Sequence, residues 1–167
     1  MNRLPRTIVI MGVSGCGKSL IGSMLARKLD AVFEDADEFH SDANKAKMTD
    51  GIHLTDEDRW PWYQLLRERI VAHHAAGRDY VLACSALKQS YRQLLRGDDE
   101  EDNVIFVYLK GTRELISARM TGRHGHFMPP KLLDSQFAAL EEPRDAILIN
   151  AFQSPDEIVR QITDHFR

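Results

Sequence analysis

Two cysteines, Cys16 and Cys84, are all that the 167 residues contain, and they form no CxxC pair. Both are expected as reduced thiols in a reducing compartment. There is no excess of positive charge: 22 Lys and Arg face 25 Asp and Glu, for a net charge of −3. A chain so balanced lacks the basic field of a nucleic-acid binder, and no nucleic-acid partner is expected. Long hydrophobic runs are missing too. The apolar stretch in residues 1–12 is too short for a signal peptide and ends in glycine. Nothing approaches the length of a membrane span, so neither a membrane partner nor a location outside the cytoplasm is expected. Repeats, low-complexity tracts and interdomain linkers are absent as well. What is present is ordinary globular composition, 43% hydrophobic and 28% charged, enough to build one core in one domain over residues 1–167.

The apolar pattern alternates between two periods. Five short apolar runs read as buried strands: Thr7 to Met11, Ala31 to Phe33, Tyr80 to Cys84, Val104 to Leu109 and Ala146 to Ile149. Helical spacing fills the gaps. Ile21, Met24, Leu25 and Leu29 mark one face; Trp62, Leu65, Leu66, Arg69 and Ile70 a second, with Pro61 tolerable near its start. Tyr91, Leu94 and Leu95 mark a third, and Leu115, Ile116 and Met120 a fourth, with Thr112 as N-cap. Leu133, Phe137 and Leu140 follow. The last helix opens on Ser154 and Glu157 as a capping box, with Pro155 at its first position. Strands alternating with helices predict an α/β fold: a three-layer α/β/α arrangement around a five-stranded parallel sheet, with right-handed crossovers.

Gly12-Val13-Ser14-Gly15-Cys16-Gly17-Lys18-Ser19 fits G-x-x-x-x-G-K-[ST] between the first strand and the first helix. Glycines let consecutive backbone N–H groups converge on one anion, and the helix adds its positive end. Lys18 would meet the β- and γ-phosphates, and the Ser19 hydroxyl would ligate Mg²⁺. The pattern indicates a nucleoside triphosphate without separating kinase, ATPase and GTPase. Asn44-Lys45-Ala46-Lys47 departs from the guanine-specifying N-K-x-D and lies early in the chain, so ATP is the better reading.

Asp35 and Asp37 follow the second strand. In an extended segment residues two apart point the same way, and ligands in open α/β sheets sit beyond the carboxyl ends of strands. Asp35 is expected to hold Mg²⁺ through a water, and Asp37 to accept the proton of a substrate hydroxyl. A solvated acidic loop is the plain alternative. Positive charge near the γ-phosphate would come from Arg119 and Arg123, the latter inside residues 121–131, a stretch with two glycines and two prolines that reads as a lid. His124 and His126 lack further clustered ligands for a metal site. His73 and His74 are expected to face solvent. Lys88, Arg92 and Arg96 share a helix face, either as a solvated stripe or with Lys88 and Arg92 on an anionic substrate; Arg59 is a further candidate, and Trp60 and Trp62 are expected in the core or a pocket wall.

With these residues stand several longer stretches: residues 35–40, Asn44, Lys47-Met48, Gly51, residues 54–62, Cys84-Ser85-Ala86-Leu87-Lys88, Tyr91-Arg92, Leu95-Arg96, residues 125–128 and residues 135–137. In this order they resemble gluconate kinase (gluconokinase) over nearly the whole chain, the DRxPW, CSALKxxYRxxLR and GHFM stretches being more specific than the phosphate loop. The resemblance implies transfer of phosphate from ATP to the 6-hydroxyl of D-gluconate, the fold of shikimate and nucleoside monophosphate kinases, a lid, a substrate-binding helical region at about 37–75, and a homodimer. It implies that His40, Arg59, Lys88 and Arg92 receive the polyhydroxy acid. It places Arg119 towards adenine and phosphates, Arg123 on the phosphates and Gln136 in the same cleft. Cys16, Ala36, Ser41 and Asn150 depart from the family's usual residues. Rival readings are a kinase of the same fold for shikimate or a keto-gluconate, and a regulatory domain that binds ATP without turnover.

Overall fold

The computed structural model describes residues 3–97, 103–121 and 130–166. Its centre is β1 (Thr7–Met11), whose five side chains are all buried. A strand covered on both faces must be apolar throughout, and β1 feeds Ile8 and Ile10 into one core cluster, Val9 and Met11 into another. It pairs in parallel with β3 (Tyr80–Ala83) on one side and β4 (Val104–Lys110) on the other, Ile8 lying opposite both Val81 and Ile105. β2 (Val32–Asp35) and β5 (Ile147–Asn150) are the edges, giving the order β2-β3-β1-β4-β5, all parallel. The predicted α/β sheet is therefore found, with small changes at its ends. β2 runs two residues further than the 31–33 stretch suggests, so Asp35 belongs to the strand itself.

Helices cover both faces. α1 (Lys18–Leu29) and α7 (Pro155–Asp164) pack together on the Ile8 side, burying Ile21, Leu25, Ile158 and Ile162. α3 (Asp56–Ala75) and α4 (Gln89–Arg96) cover the Val9 side through Trp62, Tyr63, Leu66, Ile70, Tyr91 and Leu95. α2 (Asp42–Thr49) precedes α3, and α5 (Arg113–Thr121) packs on α6 (Pro130–Ala139).

The helix starts show how local chemistry decides. Thr55 and Asp58 form a reciprocal capping box that opens α3, each side chain taking the other's backbone N–H. At α7 only half of the expected box forms. Ser154 accepts from the Glu157 N–H at 3.2 Å, but the Glu157 carboxylate turns to Arg160, an ion pair that competes for it. Thr112 caps α5 as expected, its hydroxyl accepting from the Leu115 N–H at 3.2 Å.

Three expectations are corrected by packing. Leu65 and Leu115 point outward, 38% and 49% exposed, because their neighbours Leu66 and Ile116 already fill the core. His73 does not face solvent. It is buried against Tyr80, ring centroids 4.2 Å apart, and its Nε2 lies 3.2 Å from Glu34, which also binds Arg69. Arg92, expected on a solvated stripe or on substrate, is only 2% exposed. Its guanidinium donates to the Ala86 carbonyl at 2.8 Å and the Glu141 carbonyl at 2.8 Å. Ala86 holds a positive φ of 46°, and Arg92 clamps that turn to the chain after α6. Replacing Arg92 with Met takes the donor from the buried Ala86 carbonyl and from the partly exposed Glu141 carbonyl, and is expected to cost about 1–3 kcal/mol, read as a lower urea midpoint at constant slope. An unchanged midpoint would mean that the clamp contributes nothing net.

Candidate active site

Beyond the carboxyl ends of β1, β2 and β3 lies a cleft of about 280 Å³, where an open parallel sheet binds its ligands. Its floor is the phosphate loop. The chain leaves β1 through Gly12 at φ 148°, and a Cβ there would stand 2.9 Å from the Leu109 carbonyl, so only glycine fits the turn. Gly17, at φ 99°, opens α1 with no side-chain cap, leaving the helix's positive end towards the cleft. Cys16 is buried beneath the loop at 1% exposed, so its thiol packs rather than contacts ligand. The Gln136 carboxamide spans from α6 to Ser14: the Ser14 N–H donates to its Oε1 at 2.8 Å, and its Nε2 donates to the Ser14 hydroxyl at 3.0 Å. Arg119 approaches the loop from α5, donating to the Gly15 carbonyl at 3.3 Å, with its guanidinium 4.2 Å from the centre of the Phe152 ring.

One wall carries the carboxylates. Asp35, at the end of β2, accepts a short hydrogen bond from the Ser19 hydroxyl, while its other oxygen caps the 3₁₀ turn Ala36–Phe39 by accepting from the Asp37 N–H at 3.0 Å. Asp37 is thus aimed by a turn rather than by strand alternation, as the sequence had suggested. That turn is fastened from behind by the Trp62 indole, which donates to the Ala36 carbonyl at 2.7 Å. Asp37 keeps water contact at the cleft mouth. Its withdrawal into the concave wall, and then the charge of Asp35, raise its carboxyl above the usual aspartate range, while Lys18 pulls it back. Lys18 projects into the same space and donates to the Val13 carbonyl at 3.0 Å.

The donor set suits Mg²⁺, a hard cation usually held by one or two protein oxygens with phosphates and water completing its shell. Ser19 and Asp35 supply a hydroxyl and a carboxylate side by side. No cluster of three or more His, Cys, Asp or Glu able to hold a metal occurs among the described residues.

Next to the carboxylate turn the lining continues through His40 into residues of α2, α3 and the loop between them. Trp62 stacks on His40 with centroids 3.8 Å apart, and Met48, Leu54 and Arg59 complete the lining. Asn44 ties the two helices together, donating to the Asp58 carbonyl at 2.9 Å, beside the Lys47–Asp58 ion pair. Burial, with Arg59 and Lys45 nearby, lowers His40 to about 4. At neutral pH His40 is therefore a neutral hydrogen-bonding group, and the positive charge of this wall resides on Arg59. Lys88 pairs with Asp56 at 3.1 Å and lies outside the cleft's lining. Arg123 falls outside the described residues. Ser85 lines the cleft without having been singled out. Its place just after β3 was the available signal, because the carboxyl end of a central strand is where such sites form.

A shikimate kinase family model matches residues 14–166. A probable gluconokinase of Dictyostelium discoideum is 43% identical over 171 residues, covering 96% of this chain and 86% of the relative. A gluconokinase of Gluconobacter oxydans is 42% identical and covers 100% of this chain and 94% of the relative. Among solved structures, a gluconokinase from Sinorhizobium meliloti superposes with a TM-score of 0.84 at 42% identity, covering 96% of this chain and 90% of that one.

Proposed function

The chain belongs to the gluconokinase family, within the group that the shikimate kinase model describes, and from that premise and the cleft we propose that it phosphorylates D-gluconate at the 6-hydroxyl, giving 6-phosphogluconate and ADP. The observation that carries the chemistry is that one cleft joins Lys18 of the phosphate loop, the Ser19–Asp35 pair, Asp37 and Arg59. ATP would lie with its phosphates on residues 12–19 and its adenine towards Arg119. Ser19 and Asp35 would hold Mg²⁺, which neutralises phosphate charge when bound.

Gluconate would lie in the cleft against Asp37, His40 and Arg59. Its carboxylate would face Arg59, while Ser85 and neutral His40 would meet its hydroxyls. Asp37 would take the proton of the attacking hydroxyl as that oxygen bonds to the γ-phosphorus. The bond from phosphorus to the β-phosphate oxygen breaks, and ADP leaves. Lys18 would neutralise charge on the transferring group, joined by Arg123 from a lid at about 121–131 that excludes water. Residues 37–75 form the proposed substrate-binding region of this single domain, and Gln136 supports the loop from the other side. Arg92 supports the Ser85 turn. We place the enzyme in the cytoplasm as a homodimer; no described helix is long and apolar enough to cross a membrane.

A coupled assay of ADP release with Mg-ATP tests the reading on gluconate, keto-gluconates, shikimate, glycerate and nucleoside monophosphates. Gluconate is expected to stimulate release far above the rest. Stimulation by a different acid would reassign the substrate, and ATP binding without any stimulation would point to a non-catalytic regulatory domain.

A further inference from the structure

Asp56 and Arg59 stand three residues apart at the start of α3, a spacing at which opposite charges pair across one helical turn. They do not pair. The hydroxyl of Tyr91, delivered by α4, comes between them. Arg59 Nη1 donates to the Tyr91 oxygen at 3.3 Å, and Tyr91 gives its one proton to the Asp56 carboxylate in a short hydrogen bond. The direction of this chain is fixed, because a guanidinium can only donate and a carboxylate can only accept. Tyr91 is itself immobile: it is 2% exposed, stacked on Tyr63 at 4.6 Å and met edge-on by Trp60 at 5.6 Å. The second cation at this corner, Lys88, donates to the same Asp56 oxygen as Tyr91 at 3.1 Å and to the other oxygen at 3.4 Å.

We infer that Tyr91 is a positioning residue for the acid end of the substrate, holding Arg59 in the cleft wall and away from Asp56, an internal carboxylate that would otherwise compete for it. The inference rests on the gluconokinase reading and extends it: acid recognition depends on a tyrosine that does not line the cleft. Without the hydroxyl, Arg59 can swing along its own helix to Asp56, and a substrate carboxylate must then displace a neighbour held at high effective concentration.

The test compares Tyr91→Phe, Asp56→Asn and the double variant with the parent, measuring gluconate KM, ATP KM and kcat. Tyr91→Phe keeps the ring and its stacking. It is expected to raise the gluconate KM by about tenfold, the cost of one charged hydrogen bond, with kcat and ATP KM close to the parent. Adding Asp56→Asn removes the competitor and is expected to return the gluconate KM most of the way. That recovery is the readout a merely structural tyrosine would not give, since two structural losses add. An unchanged KM in Tyr91→Phe, a KM that Asp56→Asn does not relieve, or a matching rise in ATP KM overturns the inference. A parent that does not turn over gluconate is a separate result, and it removes the function and this inference together.

Discussion

Asp37→Asn lowers kcat by about 10²- to 10⁴-fold, the range that a positioned general base contributes, while ATP binds nearly as before. Asparagine keeps the size and can still point at the hydroxyl, but its amide cannot take the proton. The turn that holds the residue survives, because its bonds run through the Asp37 backbone N–H and the Ala36 carbonyl rather than the carboxylate. Nucleotide affinity should hold for a similar reason, since the phosphate loop lies on other elements. The pH dependence supplies a second readout. Only the ionised carboxylate accepts a proton, so the rate climbs as pH rises through the Asp37 pKa. In the unliganded cleft, desolvation and the charge of Asp35 raise that pKa, and a cation held on Asp35 would offset the second cause. Asp37→Asn should abolish this limb as well as lower the plateau. Turnover near that of the parent would remove Asp37 from the role of base.

Lys18→Ala is expected to reduce kcat/KM by about 10²- to 10³-fold, comparable to loss of one preorganised donor at a site of developing charge. The ammonium serves twice. It would contact the phosphates, and its charge also holds Asp37 below the value that burial and Asp35 would otherwise set. Its removal should therefore move the acid limb of the remaining activity to higher pH, the direction in which the carboxylate becomes harder to ionise. A rate loss with the limb in place would leave the phosphate role standing and deny the coupling. Loss of neither would mean that Lys18 remains on the Val13 carbonyl during turnover.

Most of this site was legible in the sequence for chemical reasons. The phosphate loop is local, since its glycines, lysine and serine act within eight consecutive residues and need only a strand before and a helix after. The five strands were legible because a doubly covered strand has to be apolar at every position, and β1, β3 and β4 are nearly so. The carboxylates were found, but not the device that aims them: β2 continues to Asp35, and a 3₁₀ turn fastened by the Trp62 indole carries Asp37. The charge of Arg92 suggests solvent or a ligand, yet the backbone carbonyls of Ala86 and Glu141 decide its place. Those two acceptors come from segments 55 residues apart, and no spacing rule connects them.

The sheet, the phosphate loop and the pair of carboxylates beside it can be read from the residues alone, because each depends on neighbours along the chain or on burial that composition already demands. Which of the three cations lines the cleft is settled by contacts across the fold. Arg59, Lys88 and Arg92 are equally charged on paper. Asp56 takes Lys88, the Ala86 and Glu141 carbonyls take Arg92, and Arg59, with one bond to the Tyr91 hydroxyl, is left lining the cleft. The physical reason is that a charge is available to a ligand only when no nearer partner satisfies it, and partners are set by contacts across the fold.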